Sequence, residues 1–143
     1  MGSFETRVRI ANLEKPELFA EISLVVDTGA TLSWIPRTVL EKMEIEPLSR
    51  LPFTLAAGRV LERDIGGLLL SINGRRGPVP VAFGESGEHS ILGATALETL
   101  GLVVDPVAET LIERNLLALP ARVRLSPHGR GGLDTRRTKS EYI

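Results

Sequence analysis

The stretch "VVDTGATLSWIP", residues 25–36, places one acid, Asp27, between an apolar run and a Thr-Gly turn. The preceding segment "FAEISLVV", residues 19–26, changes from alternating to fully apolar, which predicts a strand that ends inside the core. A carboxylate close to a core is costly unless it has partners. Asp27 is therefore our candidate functional acid, and the alternative is a turn-capping carboxylate in a non-catalytic β domain.

Composition limits the class of protein. The 143 residues are 43% hydrophobic and 24% charged, which predicts one globular domain. Fourteen glycines and nine prolines favour a turn-rich β fold. A formal net charge of -1 argues against nucleic acid as the main partner. The absence of cysteine excludes disulfides, a thiol nucleophile and a cysteine-type zinc site.

Charge divides the chain into two parts. Residues 1–119 carry 11 Lys/Arg and 16 Asp/Glu, whereas residues 120–143 carry six and two. We therefore expect a folded domain over 1–119 and a basic, mobile tail over 120–143. No segment approaches the ~20 apolar residues of a membrane span, and the start lacks the apolar core of a signal peptide. We expect a cytoplasmic protein with no membrane partner.

Periodicity and turn signals predict strands separated by two short helices. The hairpin "PFTLAAGRVLER", residues 52–63, has its tip at Ala57-Gly58. Gly66 and Gly67 predict a bulge or a bend. The other predicted strands are residues 6–10, 19–26, 68–72, 78–84, 102–106 and 109–119, and the predicted helices are residues 37–43 and 94–100, the second ended by Gly101.

A second motif, "ILGATALETLGLVVD" at residues 91–105, lies downstream of the hairpin. With "LVVDTGATLS", it makes residues 4–119 resemble a retropepsin-like (retroviral-type) aspartic protease of the small bacterial form. The resemblance implies an all-β, closed barrel-like fold with one or two short helices, active as a two-fold homodimer. It implies an aspartic endopeptidase that hydrolyses peptide or protein substrates with no cofactor and no metal.

The chemistry of two carboxylates gives the same requirement for a dimer. One must be ionised to activate water and the other protonated to donate to the carbonyl oxygen, so the pair shares one proton. The other aspartates, Asp64, Asp105 and Asp134, lack the Asp-Thr-Gly context. A two-fold dimer that pairs Asp27 with its own copy is the economical solution.

The resemblance also assigns roles around Asp27. Thr28 would hydrogen-bond across the dimer axis, and Gly29 permits close approach and can aim its N–H at the carboxylate. Ala30 lacks the hydroxyl of a serine that would stabilise the ionised form, so we expect activity at mildly acidic to near-neutral pH rather than below about pH 4. Thr31 and Ala94 stand where retroviral relatives often carry an acid and an arginine near the dimer contact.

The hairpin occupies the place of the flap that closes over substrate in such enzymes. An extended peptide would be recognised by strand-like pairing and side-chain pockets. The candidate substrate-binding residues are Ala30, Thr31, Leu32, Leu55, Ala56, Ala57, Gly58, Val60 and Ile91. Trp34 is predicted to be a core or flap-supporting residue, His89 and His128 lack metal-ligand spacing, and residues 4–10 and 109–117 are the predicted dimer interface.

Two alternatives remain open from the sequence. The first is a retropepsin-like module that dimerises or binds peptide with weak or no hydrolysis. The second is an enzyme that cleaves only its own chain or a fused precursor. Neither alternative changes the residue to be tested, which is Asp27.

Overall fold

The computed structural model describes residues 3–119, so the predicted tail at 120–143 lies outside the described residues. Nine strands and two short helices are found within that range. In chain order they are β1 (Glu5–Ala11), β2 (Phe19–Val26), β3 (Ser33–Pro36), α1 (Arg37–Lys42), β4 (Ser49–Thr54), β5 (Val60–Ile72), β6 (Arg75–Gly84), β7 (Ile91–Leu92), α2 (Ala94–Leu100), β8 (Leu102–Asp105) and β9 (Thr110–Glu113).

Seven of these strands form one sheet in the order β1-β2-β7-β3-β6-β5-β4. The long strand β5 pairs with β4 along its first half and with β1 along its second half. Because β1 also pairs with β2, the sheet closes into a ring. The prediction of an all-β, closed barrel-like fold with two short helices is confirmed.

The ring encloses the apolar core. Strand alternation supplies the core residues, since Val8 and Ile10 of β1 are buried while the alternating Arg7 and Arg9 are exposed. Phe83 on β6 is a fully buried residue of this core. The remaining fully buried large side chains are Leu24, Ile35, Leu40, Leu68, Leu70, Ile72, Val81 and Leu92.

Two parallel pairings position the candidate site. Strand β2 runs parallel to β7, with Val26 opposite Leu92, and β3 runs parallel to β6. Strand β7 also pairs with β3 through Trp34 and Ile91. The ends of β2 and β7 therefore meet at one place, directly beside the start of β3.

Most of the predicted local structure is confirmed. Both helices lie within a residue of their predicted bounds, and Gly101 ends α2 in the left-handed conformation with φ 67°. The hairpin tip is at residues 55–59, where Leu55 N–H donates to Arg59 O at 2.7 Å and Gly58 has φ 91°. We call the β4–β5 hairpin, residues 49–65, the flap hairpin. Neither helix within residues 3–119 is long enough to cross a membrane.

The predicted strand at 109–119 is wrong in its length, because β9 ends at Glu113. Strand β9 has only the four residues of β8 to pair with. Beyond it, Arg114 N–H donates to Gly101 O at 2.9 Å, and the Arg75 guanidinium contacts the carbonyl oxygens of Leu100, Gly101 and Arg114. These bonds redirect the chain toward the end of α2.

The predicted bulge at Gly66 and Gly67 is also wrong, since β5 pairs with β6 in continuous register across both residues. Packing explains Gly66: a Cβ there would lie 3.0 Å from Phe83 Cε1 and 3.1 Å from Glu46 O. Gly67 has more room, with Leu13 Cδ1 the nearest atom at 3.4 Å. Close packing, rather than a broken ladder, accounts for the first glycine.

This difference predicts unequal effects of two neighbouring substitutions. Gly66→Ala should lower the free energy of unfolding by about 1–3 kcal/mol, because neither the buried Phe83 nor a backbone carbonyl yields easily. Gly67→Ala is the matched control and should stay close to wild type. Urea unfolding of the three proteins measures this, and equal midpoints for the two variants would contradict the packing argument.

Candidate active site

Asp27 follows β2 in a loop whose backbone is fixed by hydrogen bonds. Its N–H donates to Leu92 O at 3.0 Å, and its carbonyl accepts from Ala30 N–H at 3.2 Å. Gly29 N–H donates to the Asp27 Oδ1 at 2.9 Å, as the sequence predicted. The loop therefore holds the carboxylate through the main chain, while its side chain stays exposed.

The turn between β7 and α2 supports this loop from behind. Ala94 N–H donates to Ala30 O at 2.7 Å, and Thr95 N–H donates to Thr31 O at 3.0 Å. Gly93 N–H donates to the buried Ser33 hydroxyl at 3.0 Å. Together with the bond from Asp27 N–H, these contacts join two segments about sixty residues apart into one rigid unit.

Gly93 is essential to that unit because the two segments touch. A Cβ on Gly93 would lie 2.5 Å from Leu32 O and 2.9 Å from Ala30 O. Both obstacles are backbone atoms that a rotamer change cannot move. The apolar-apolar-Gly sequence of the second motif therefore has a steric explanation in this structure.

A cleft of about 350 Å³ lies beside Asp27. Its described lining contains one carboxylate, that of Asp27, among otherwise apolar or hydroxyl-bearing side chains. The other lining residues are Ser3, Phe4, Val26, Thr28, Val104 and Pro106. The candidate acid thus faces an open, mostly apolar surface formed by the beginning of the domain and by β8.

The structure brings only part of the predicted site together. Residues 27–32 and Ile91 lie next to one another through the contacts above, with Ala30, Leu32 and Ile91 half-buried. Thr28, Gly29 and Thr31 are exposed. Within residues 3–119 no hydrogen bond ties the hairpin tip to the Asp27 loop, and the tip residues, Leu55, Ala56, Ala57 and Gly58, are exposed.

The two faces of the flap hairpin differ in contacts. Phe53 packs edge-on against Trp34, with ring centroids 4.9 Å apart. The face of the flap hairpin that carries Phe53 therefore points toward β3. Phe53 pairs with Leu61, whereas Val60 pairs with Thr54. Because successive strand residues alternate, Val60 lies on the opposite face from Phe53 and Leu61. Trp34, predicted to be a core or flap-supporting residue, is half-buried and contacts the flap hairpin through Phe53.

Ion pairs connect the base of the flap hairpin to its surroundings. Arg63 binds the Glu88 carboxylate, and its guanidinium lies 5.9 Å from the Trp34 ring centre. On the other side Arg37 donates to Asp64 at 2.7 Å and to Glu85 at 3.0 Å. The hydrogen bonds from Arg63 lower the pKa of Glu88, and those from Arg37 and Arg50 lower the pKa of Asp64.

Sequence reasoning missed the residues that support the site from elsewhere in the chain. Ser33 gave a weak signal, since a hydroxyl at an inward position of an otherwise apolar strand needs a buried partner. Phe53, Arg63 and Glu88, which surround Trp34, gave none, because they come from separate segments of the chain. Among residues 3–119 no group of three or more His, Asp or Glu side chains is arranged to hold a metal ion.

Comparison with known proteins identifies the family. The profile described as "Aspartyl protease" matches residues 7–96, which is more than half of the chain and spans Asp27, the flap hairpin and Gly93. The chain therefore belongs to the aspartyl protease family. No curated protein sequence matches it.

The fold is similar to that of a solved protease. The chain is similar to EIAV protease, solved in complex with the inhibitor HBY-793, at 19% identity and a TM-score of 0.50, covering 70% of this chain and 89% of that one. It also matches Simian foamy virus (mac) protease at 16% identity and a TM-score of 0.44, covering 64% and 91%. A retropepsin-like aspartic protease from Rickettsia conorii matches at 16% identity and a TM-score of 0.43, covering 73% and 89%.

The steric role of Gly93 predicts a large loss of stability on adding one methyl group. Gly93→Ala should lower the free energy of unfolding by about 3 kcal/mol, because the Ala30–Leu32 backbone must move away. Gly84→Ala is the control, since its Cβ would meet the Ile35 carbonyl of the adjacent strand at an ordinary 3.4 Å. Thermal unfolding distinguishes them, and similar melting temperatures would refute the close-contact explanation.

Proposed function

We propose that the protein is an aspartic endopeptidase that acts as a two-fold homodimer, with one Asp27 from each protomer in a single site. The observation that carries this proposal is the exposed Asp27 carboxylate, held by its loop beside a cleft whose described lining offers no second acid. A lone carboxylate cannot act as base and acid at once, so the missing half must come from another chain.

The reaction follows from the shared proton of the pair. The ionised Asp27 removes a proton from water, whose oxygen attacks the peptide carbonyl carbon, while the protonated Asp27 donates its proton to the carbonyl oxygen. The first Asp27 then donates the proton it took from water to the leaving nitrogen, while the second removes a proton from a hydroxyl of the tetrahedral gem-diol. The C–N bond breaks, a carboxylic acid and an amine are released, and the pair is back in its starting protonation state. The Gly29 N–H bond to Oδ1 orients one oxygen of the carboxylate, and Asp27 lines the cleft.

The β8–β9 hairpin supports the dimer. One face packs on the core through Val104 and Leu111. The opposite face exposes the cross-strand pair Val103 and Ile112, and Val107 at its turn is 93% exposed. A two-stranded ribbon with an apolar outer face is marginal alone and is suited to pairing with a second copy. Val104, on the face that packs on the core, also lines the Asp27 cleft, so the β8–β9 hairpin lies next to the site.

The interface prediction for residues 109–117 is kept on these grounds. Residues 4–10 are a weaker candidate for the dimer interface, because β1 already forms backbone hydrogen bonds with β2 along its whole length. The proposed contact therefore centres on β8, β9 and the residues after them, where Leu116 and Leu117 are largely exposed. A cytoplasmic location remains a prediction from the sequence.

The substrate we propose is an extended peptide lying between the flap hairpin and residues 27–32. Leu32, Ile91 and Ala30 are half-buried beside the acid and provide apolar surface for its side chains. On the flap hairpin, Leu61 and Phe53 occupy the face that points toward β3. Val60 is on the outer face in this conformation, so it is the weakest of the proposed substrate contacts.

Replacing the acid tests the activity directly. Asp27→Asn should abolish cleavage of a peptide library, because the amide can neither activate water nor share the proton. Glu98→Gln, which removes an exposed acid on α2, is the control and should cleave like wild type. Cleavage by Asp27→Asn would contradict the proposal. Peptide binding without cleavage by the wild type would favour the binding-module alternative.

Mixing the same two proteins tests the shared site. When an equal amount of Asp27→Asn is equilibrated with wild type, activity should fall to about half, because half of the wild-type protomers then pair with a variant. Two independent sites would leave activity unchanged. Sedimentation of the wild type over micromolar concentrations, without substrate, gives the dimer mass directly, and a strict monomer throughout would contradict the shared site.

The absence of a hydroxyl at position 30 sets the expected working pH. Ala30→Ser should stabilise the ionised form of the pair and move the acidic limb of the kcat/KM profile to lower pH. Ala30→Val, which adds bulk at the same carbon without a hydrogen-bond donor, is the control for the shift. If both variants show the wild-type limb, or if the wild type works best below about pH 4, the assigned role of Ala30 is wrong.

A further inference from the structure

Four residues connect the flap hairpin with β3 and with the loop that leads into β7, the strand that contacts the Asp27 loop. We call these four residues the latch: Trp34, Phe53, Arg63 and Glu88. Phe53 and Arg63 belong to the two strands of the flap hairpin, Trp34 to β3, and Glu88 to the loop before β7. The latch therefore draws on three separate segments of the chain. Its contacts between those segments are a product of the fold and not of local structure.

Arg63 is the centre of the latch. It lies opposite Leu51 across the hairpin and two residues from Leu61, so it shares the face that points toward β3. Its side chain is only 17% exposed, and it binds Glu88 with two nitrogens while lying over the Trp34 ring. A planar guanidinium can satisfy both partners at once, which an ammonium group cannot.

Glu88 connects Arg63 with the segment that leads to the Asp27 loop. Its Oε1 also accepts the Glu85 N–H at 2.7 Å, which closes the turn at 85–88. Two residues further on, Ser90 O accepts from Val25 N–H at 2.9 Å, and Leu92 O then binds the N–H of Asp27. A short run of chain thus joins the Arg63–Glu88 pair to the strand residue that holds the candidate acid.

The next residue of β5 is fixed from the other face. Asp64 binds Arg37, which also binds Glu85 in the same loop, whereas the pair between Asp64 and Arg50 lies within the flap hairpin and ties it to nothing else. The hairpin base is therefore tied on both faces, whereas residues 55–60 beyond the Phe53–Leu61 pair are exposed. Any movement of the flap hairpin must then pivot near Phe53, where the aromatic contact with Trp34 is the last one before the tip.

We propose that the latch sets the closing geometry of the flap hairpin: Arg63 and Glu88 are positioning residues that hold its base against β3 and the loop before β7. This inference rests on the proposed peptidase function for its kinetic consequence. Without the pair, the hairpin samples more orientations, and substrate binding must restrict them again. This loss of conformational freedom weakens substrate binding and not the chemical step, because neither Arg63 nor Glu88 reaches the reacting atoms.

The kinetic test uses Arg63→Met and the isosteric Glu88→Gln, with a peptide selected from the library digest. Each should raise KM about fivefold and leave kcat within about twofold, because one charge-assisted hydrogen-bonded pair no longer restrains the hairpin before substrate binds. The double variant should be no worse than the single ones, since both remove the same interaction. Arg50→Met, on the outer face of the same hairpin, is the matched control and should keep the wild-type KM.

A second measurement needs no activity. Trp34 is the only tryptophan in the chain, so its fluorescence reports its own surroundings alone. Acrylamide quenching of Trp34 should increase in Arg63→Met and Glu88→Gln, because Phe53 no longer stays on the ring. Arg50→Met should quench like wild type. Far-UV circular dichroism and melting curves confirm that each variant is folded at the temperature used.

The outcomes separate the two proposals. Increased Trp34 quenching in the latch variants, together with no cleavage by the wild type, would support the latch and refute the peptidase function. Unchanged quenching with unchanged KM would overturn the latch and leave the peptidase intact. A lower kcat at constant KM would also overturn it, because that pattern places Arg63 or Glu88 in the chemical step and not in the positioning of the flap hairpin.

Discussion

The pairing of β2 with the two-residue strand β7 is the contact on which the site depends. It is parallel, so the ends of both strands leave the sheet on the same side, and Asp27 follows one as Gly93 follows the other. Only a residue without a Cβ can follow β7 here, since the Ala30–Leu32 backbone fills the space. The acid, its loop and the start of α2 are therefore fixed by one short strand and one glycine.

The local parts of this arrangement could be predicted from the sequence. The apolar run before Asp27, the Thr-Gly turn, the hairpin tip and the glycine at the end of α2 are each encoded within a few residues, and each was found in place. Strand ends were harder: the apolar residues after Glu113 suggested a longer strand, but β8 offers only four partners. The pattern of one segment carries no information on how long its neighbour is.

The contacts that connect distant segments could not be predicted for the same reason. Gly66 suggested a bulge because glycine is usually explained by the backbone, whereas here the reason is the Phe83 ring beside it. Arg63 and Glu88 belong to no motif in the sequence, although most of each side chain is buried in the fold. Such pairs become visible only when the ring of strands has closed and brought β5 over the loop that precedes β7.

The closed ring also connects the flap hairpin with the Asp27 loop. Strand β5 runs from the flap hairpin into the core, where it pairs with β1 and β6, and the loop that Arg63 and Arg37 contact leads directly into β7. A shift at the hairpin base must therefore strain either the ion pairs or the strand that holds Asp27. Because β7 is locked by Gly93 and by hydrogen bonds on both edges, the ion pairs are the softer element. In the proposed dimer, movement of the flap hairpin would then leave Asp27 in place, as a catalytic pair shared between two chains requires.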